Sequence, residues 1–251
     1  MIKTGLVSVT FRKLSPEEII KLVVQAGLDG IEWGGDIHVP HGDIAKARDI
    51  AQKTKNAGLS VASYGSYYSL GCEKEKNLPF ETVLETALAL GAPIIRVWAG
   101  KLPSAQADQA WWDMAITESR RIADMASKQG VKIAFEYHPN TLTDTSESAC
   151  KLLKGINHGN IYSYWQSPLE LNREECIQSI VDIAPWLTNI HTYYYEARVQ
   201  KPLADGIDEW KEYMKVIGKI KGDRYCMLEF VIDSAPVHFL EDAKILKEIV
   251  R

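Results

Sequence analysis

Apolar runs with strand character recur along the chain: "TGLVSVTF" from Thr4, "DGIEWGG" from Asp29, "LSVASYGSYY" from Leu59, "PIIRVWAG" from Pro93, "VKIAFEYH" from Val131, "NIYSYWQ" from Asn160, "LTNIHTYYYE" from Leu187 and "YCMLEFV" from Tyr225. Between them the apolar positions change to helical spacing. The best-signed helix lies in "SPEEIIKLVVQAGLDG": Ser15 is its N-cap, Pro16 takes the first helical position, Glu18 completes a capping box and Gly27 stops it. Glycines 58, 91 and 130 end further helical stretches just before the next strand. About eight strand-plus-helix units at spacings of roughly 25 to 38 residues predict a closed parallel (β/α)8 barrel, the TIM barrel of the α/β class. An open doubly wound sheet would place a glycine-rich phosphate turn after its first strand, and "VTFRKLSPEE" has none. No linker or low-complexity stretch divides the chain, so residues 1–251 read as a single domain.

Composition narrows the function classes. The chain has 251 residues and a formal net charge of -4, with no cluster of lysine or arginine, which argues against a nucleic-acid partner. Cys72, Cys150, Cys176 and Cys226 are scattered without C-x-x-C spacing and read as reduced thiols. The start "MIKTGLVSVTFRKL" lacks a secretory pattern, and no apolar run reaches membrane-spanning length. The expected setting is therefore the cytoplasm, with no membrane partner.

In barrels of this kind the chemistry sits at the carboxyl ends of the strands. Those ends carry Glu32 and Trp33, Tyr64, Arg96 and Trp98, Glu136 and His138, Trp165 and Gln166, His191 and Tyr193, and Glu229. A strand alternates faces with period two, so Glu136 and His138 share a side with Ala134 while Phe135 and Tyr137 face the other way. Glu136, His191 and Glu229 end otherwise apolar runs, where an unpaired charge is costly to bury. Ion pairing at the rim would account for one such residue. For three on converging strands a shared divalent cation is the simpler account, because oxygen and imidazole ligands suit Mg, Mn, Zn or Fe. Aromatics crowd the same rim, Trp33, Tyr64, Trp98, Tyr137, Trp165 and Tyr193, and aromatic faces stack on sugar rings. All but Tyr137 are taken as candidate substrate contacts, with half of the six expected to pack between strands and helices instead. Gly34 and Gly35 permit a sharp loop from which His38 reaches the pocket, while His41 is expected at the surface.

The stretches "LSPEEIIKLVVQAGLDGIEWGG", "IAFEYHPN", "NIHTYYYEA" and "MLEFV" resemble the xylose isomerase-like TIM barrels, the sugar phosphate isomerase/epimerase group that includes ketose 3-epimerases. The resemblance spans the chain. It implies a divalent ion, Mn, Mg, Co or Zn, held by residues that fall on Glu136, Gln166, His191 and Glu229. It also implies that Glu136 and Glu229 act as the acid/base pair of a sugar isomerase or epimerase, removing a proton beside the carbonyl of a ketose. His138, in an E-x-H-P turn, and Arg198, seven residues after His191, match substrate-binding positions. Gln166 and Leu169 depart from the Asp-x-x-His pattern of that group, which lowers the ligand charge. A dehydratase or other lyase, a hydrolase, and a sugar-binding protein with a degenerate metal site are the alternatives. The partner is a small carbohydrate, and a homo-oligomer is compatible with the same reading.

Overall fold

The computed structural model describes residues 1–251. Eight parallel strands close into a barrel: β1 (Ile2–Val7), β2 (Gly30–Gly34), β3 (Ser60–Ser69), β4 (Ile94–Trp98), β5 (Lys132–Phe135), β6 (Ile161–Trp165), β7 (Leu187–Thr192) and, after a small hairpin, β10 (Arg224–Leu228), which pairs with both β7 and β1. Helices α1 (Pro16–Ala26), α2 (Ile44–Asn56), α3 (Glu73–Lys76), α4 (Phe80–Leu90), α5 (Gln109–Ser127), α6 (Ser146–Ile156), α7 (Arg173–Ile183), α8 (Ile207–Ile217) and α9 (Pro236–Ile249) alternate with the strands. This is the predicted TIM barrel. No helix is long and apolar enough to cross a membrane, and all four cysteines are free thiols.

Local chemistry sets the helix boundaries. Ser15 and Glu18 form the predicted capping box at α1, and Gly27 closes that helix at φ 65°, a left-handed conformation that glycine adopts without a Cβ clash. Thr145 with Ser148, and Asn172 with Glu175, make equivalent boxes at α6 and α7, so each helix starts within a residue or two of its strand-end loop. Sequence pattern alone did not separate two features. The residues "SVTF" after β1 form a 3-10 turn rather than strand, and "YYYEARVQ" folds into the hairpin β8 (Tyr195–Glu196) and β9 (Val199–Gln200). The hairpin turn uses Ala197 and Arg198, both at positive φ (48° and 63°).

Period-two alternation divides the barrel into two cores. Val7, Ala62, Ile94, Ala134, Tyr164 and Met227 fill its interior. On the other face of the strands Ile31, Trp33, Tyr64, Ile95, Phe135, Trp165 and Leu228 pack outward against the helices. Full burial of one large apolar side chain is worth about 1.5–3 kcal/mol, so the outer layer supplies most of the stability. The interior positions near the carboxyl ends of the strands are left for polar groups.

Candidate functional site

Interior-facing side chains from four strands and their loops meet at the mouth of the barrel. Glu136 follows directly on β5, Gln166 on β6 and Glu229 on β10, while His191 is the penultimate residue of β7. All four are buried. His191 Nδ1 lies 3.1 Å from Glu229 Oε2, 3.1 Å from Gln166 Oε1 and 3.6 Å from Glu136 Oε1. Glu136, His191 and Glu229 each offer a ligand atom, and these atoms lie within 4.8 Å of one another.

A second set of charges surrounds the first. Arg96 from β4 is buried and lies between two carboxylates. Its Nε donates to Glu32 Oε1 at 2.7 Å and its Nη1 donates to Glu136 Oε2. Trp98 Nε1 donates to that same oxygen of Glu136, and the Arg96 guanidinium lies 5.0 Å from the centre of the Tyr67 ring. Burial works to raise the Glu136 carboxyl; the charge of Arg96, with help from His191, overrides it and holds the group down to about 2. Glu32 is held well below the usual carboxylate range by the same opposition of burial against Arg96 and His191. For His191 burial alone would favour the neutral ring, but Glu229 and then Glu32 push it well above the usual imidazole range. Without an ion the imidazole is therefore charged and donates to Gln166 Oε1. Ion binding must displace that proton, so affinity for the ion rises with pH.

The cavity beside these groups has a volume of about 530 Å³ and is lined by Glu136, Gln166 and Glu229 at its base. Trp98, His138, Tyr193 and Arg198, all expected at the substrate, line it as well, with Tyr67, Arg96 and Tyr195 in addition. His138 stacks on Trp98 with ring centres 4.8 Å apart, and its Nδ1 lies 2.7 Å from the Pro139 carbonyl. Arg198 sits at the outer rim, largely exposed and paired with Glu170.

Four expected contacts do not reach the cavity. Trp33 and Trp165 point outward, where their indole N–H groups donate to Thr54 on α2 and Ser179 on α7. Tyr64 also faces outward and donates to the Val39 carbonyl. His38 is buried with Nδ1 3.0 Å from Ser8 Oγ. Trp33 follows the inward Glu32 and Trp165 precedes the inward Gln166, so alternation sends both outward. In β3 the register slips by one residue opposite Ile31 and Glu32, which places both Ala62 and Ser63 inside and turns Tyr64 out. His38 is held on the loop after β2 by Ser8. His41, expected at the surface, is half-buried, its two ring nitrogens facing the carbonyls of Gly35 and Ser66. Glu32 and Arg96, named in the sequence only among the polar residues of their strands, turn out to be part of the site; both sit mid-strand with side chains facing the interior.

A family model described as xylose isomerase-like TIM barrel matches residues 20–168. The chain belongs to the xylose isomerase-like TIM barrel family. Among curated proteins it is 25% identical over 202 residues to a 3-dehydroshikimate dehydratase of Bacillus anthracis, covering 75% of this chain and 70% of that protein. Among solved structures, this xylose isomerase-like barrel superposes on a probable 3-DHS dehydratase involved in petrobactin synthesis from the same organism, with a TM-score of 0.80, 22% identity and 99% of each chain covered. It also superposes on the D-psicose 3-epimerase of Clostridium cellulolyticum H10, with a TM-score of 0.71, 16% identity, and 99% and 95% covered. A xylose isomerase-like protein from Mycobacterium smegmatis in complex with magnesium gives a TM-score of 0.72 at 16% identity, with 99% and 96% covered.

The donor set of this family member fits a hard or borderline divalent cation: two carboxylate oxygens, one imidazole nitrogen and, beside them, one amide oxygen. Glu32, Glu136 and Glu229 with Arg96 carry a net of two negative charges, which a divalent ion balances. Replacing the neutral amide in Gln166→Asp adds one more negative charge. Isothermal titration of Mn²⁺ should then show tighter binding by about 1 kcal/mol or more. Unchanged affinity would place Gln166 outside the ligand set.

Proposed function

We propose that the protein is a metal-dependent lyase that removes water from a small hydroxylated carbonyl compound, starting with loss of a proton beside the carbonyl. The observation that carries this reading is the state of Glu136. Exchange of a proton between two faces of a ketose, as an epimerase requires, uses two comparable carboxylates. Here Oε2 of Glu136 already accepts from both Arg96 and Trp98, and the group stays ionised down to about 2. Such a carboxylate serves as a ligand and is a poor proton acceptor. Glu229 has no comparable arginine partner, and His138 lines the same cavity, so the proton-moving groups differ in kind. An unlike acid and base suit elimination. The similarity to a 3-dehydroshikimate dehydratase supports the same reading.

In this scheme Glu136, His191 and Glu229, with Gln166 beside them, would hold the divalent ion, which when bound would supply Lewis acidity to a substrate oxygen. Glu229 takes the proton from the carbon next to the carbonyl, and the electron pair of that C–H bond forms the new C=C bond. The C–O bond at the adjacent carbon breaks. His138, whose Nδ1 hydrogen faces the Pro139 carbonyl, acts as the imidazolium and gives its Nε2 proton to the departing hydroxyl, which leaves as water. Solvent then reprotonates His138 and takes the proton from Glu229. Trp98, Tyr67 and Tyr193 supply flat apolar faces that position the ring or chain and exclude bulk water.

The test is a panel of hydroxylated carbonyl compounds, including 3-dehydroshikimate and D-psicose, incubated with the Mn²⁺-loaded protein. Growth of ultraviolet absorbance from a conjugated product supports the lyase. Interconversion of ketoses on chromatography, with no such product, overturns it in favour of an epimerase.

A further inference from the structure

The scheme above makes no use of Glu32, a fully buried carboxylate that does not line the cavity. Its Oε2 accepts from Ser63 Oγ at 2.6 Å and its Oε1 accepts from Arg96 Nε at 2.7 Å. The same Oε1 lies 3.4 Å from His191 Nε2, a buried nitrogen that has no full hydrogen bond to any other group. Arg96 in turn donates to Glu136. One carboxylate therefore touches one candidate ligand directly and reaches a second through a single guanidinium.

We propose that Glu32 is a positioning residue that presents Nδ1 of His191 and Oε1 of Glu136 to the divalent ion; the proposal rests on the metal site described above and not on which reaction the site performs. An imidazole bound to an ion through one nitrogen carries its hydrogen on the other, and a carboxylate beside that other nitrogen fixes both tautomer and ring orientation. Glu32 stands on the Nε2 side, so Nδ1 faces Glu229, Gln166 and Glu136. For Glu136 the selection works through Arg96 and Trp98. Both donate to Oε2, which leaves Oε1 as the free oxygen.

The fold makes room for this arrangement at Gly65 on β3. A Cβ there would lie 2.7 Å from Arg96 Nη2 and 3.0 Å from Glu32 Oε1, so any larger residue would push the guanidinium away from both carboxylates. Charge acts in the same direction. With Glu32 ionised, Arg96 is compensated. Without that charge the guanidinium faces the ion as an unbalanced cation.

Titration of Mn²⁺ into the metal-free full chain tests this without substrate. Glu32→Gln keeps the shape but removes the charge, and should weaken Mn²⁺ binding roughly 10- to 100-fold. Ser63→Ala keeps the charge but frees one oxygen of Glu32, and should weaken binding by a smaller factor. Asp242→Asn, at a buried carboxylate on α9 that accepts from the Leu203 amide, should leave Mn²⁺ affinity unchanged. A merely structural role for Glu32 would shift melting temperature and not the affinity of the folded protein. Wild-type affinity in folded Glu32→Gln overturns the proposal; if that variant does not fold, wild-type affinity in Ser63→Ala overturns it. Absence of Mn²⁺ binding by the wild type overturns the metal site and this proposal together. A negative substrate panel alongside normal Mn²⁺ binding touches the lyase reading alone.

Discussion

Glu229→Gln should lower turnover of the active compound from the substrate panel by roughly two to four orders of magnitude, with the protein folded and still able to bind Mn²⁺. The backbone at this position is pinned on both sides: the Glu229 amide donates to the Thr192 carbonyl, and the Phe230 amide donates to Thr10 Oγ1 at 3.0 Å. An amide side chain is therefore presented from the same place. It retains an oxygen for the ion but has no basic oxygen to accept a proton from carbon. Steady-state kinetics with saturating Mn²⁺ separates the two roles, since loss of the base lowers kcat while loss of the ligand raises the Mn²⁺ requirement. Wild-type kcat in Glu229→Gln would remove Glu229 from the proton-transfer step and leave it a ligand only.

The second large effect is expected at Arg96. Arg96→Leu leaves Glu32 and Glu136 buried and facing each other with no guanidinium between them, and removal of one partner from a buried ion pair costs about 3–5 kcal/mol. Urea denaturation of the metal-free variant should show that loss as a lower midpoint, and added Mn²⁺ should recover part of it by neutralising Glu136. Arg96→Lys retains a charge but loses the fork that reaches both carboxylates, and should fall between wild type and Arg96→Leu. Acid reaches the same network in the wild type. A carboxyl held down in the folded state contributes stability that is present above its unfolded value, near 4.5, and is lost as pH falls toward the folded value, about 2 for Glu136. The metal-free protein should therefore lose stability progressively across that window. A midpoint insensitive to Arg96→Leu would mean that the pair is not a net source of stability.

The barrel was legible because its signals are local. Capping boxes, helix-ending glycines and apolar runs each occupy a few consecutive residues, and "SPEEIIKLVVQAG" carries all three kinds of information within one helix. Glu136, His191 and Glu229 stood out for a similar reason, as polar ligand types ending apolar strands. The aromatic contacts were less readable. Composition draws attention to Trp33, Tyr64 and Trp165, but the two tryptophans sit beside inward-facing polar residues and alternation turns them out, while Tyr64 is turned out by a register shift in β3 that leaves both Ala62 and Ser63 inside. The same parity that gives Glu136 and His138 to the interior takes the two tryptophans away from it.

Glu32 and Arg96 were harder for a different reason. Neither belongs to a short motif, and their roles arise only when β2, β4, β5 and β7 come together. A buried guanidinium between two carboxylates is a property of strand order, which one segment of sequence does not encode. The hairpin that carries Arg198 was missed because its turn uses Ala197 and Arg198 at positive φ, where asparagine and glycine are the usual signal.

The central claim is that Glu136, His191 and Glu229 hold one divalent ion at the mouth of the barrel, and anomalous diffraction from a crystal soaked in Mn²⁺ tests it most directly. The account predicts a single strong anomalous peak in contact with Oε1 of Glu136, Nδ1 of His191 and a carboxylate oxygen of Glu229. A crystal that takes up no Mn²⁺ there, or takes it up only elsewhere, would contradict it.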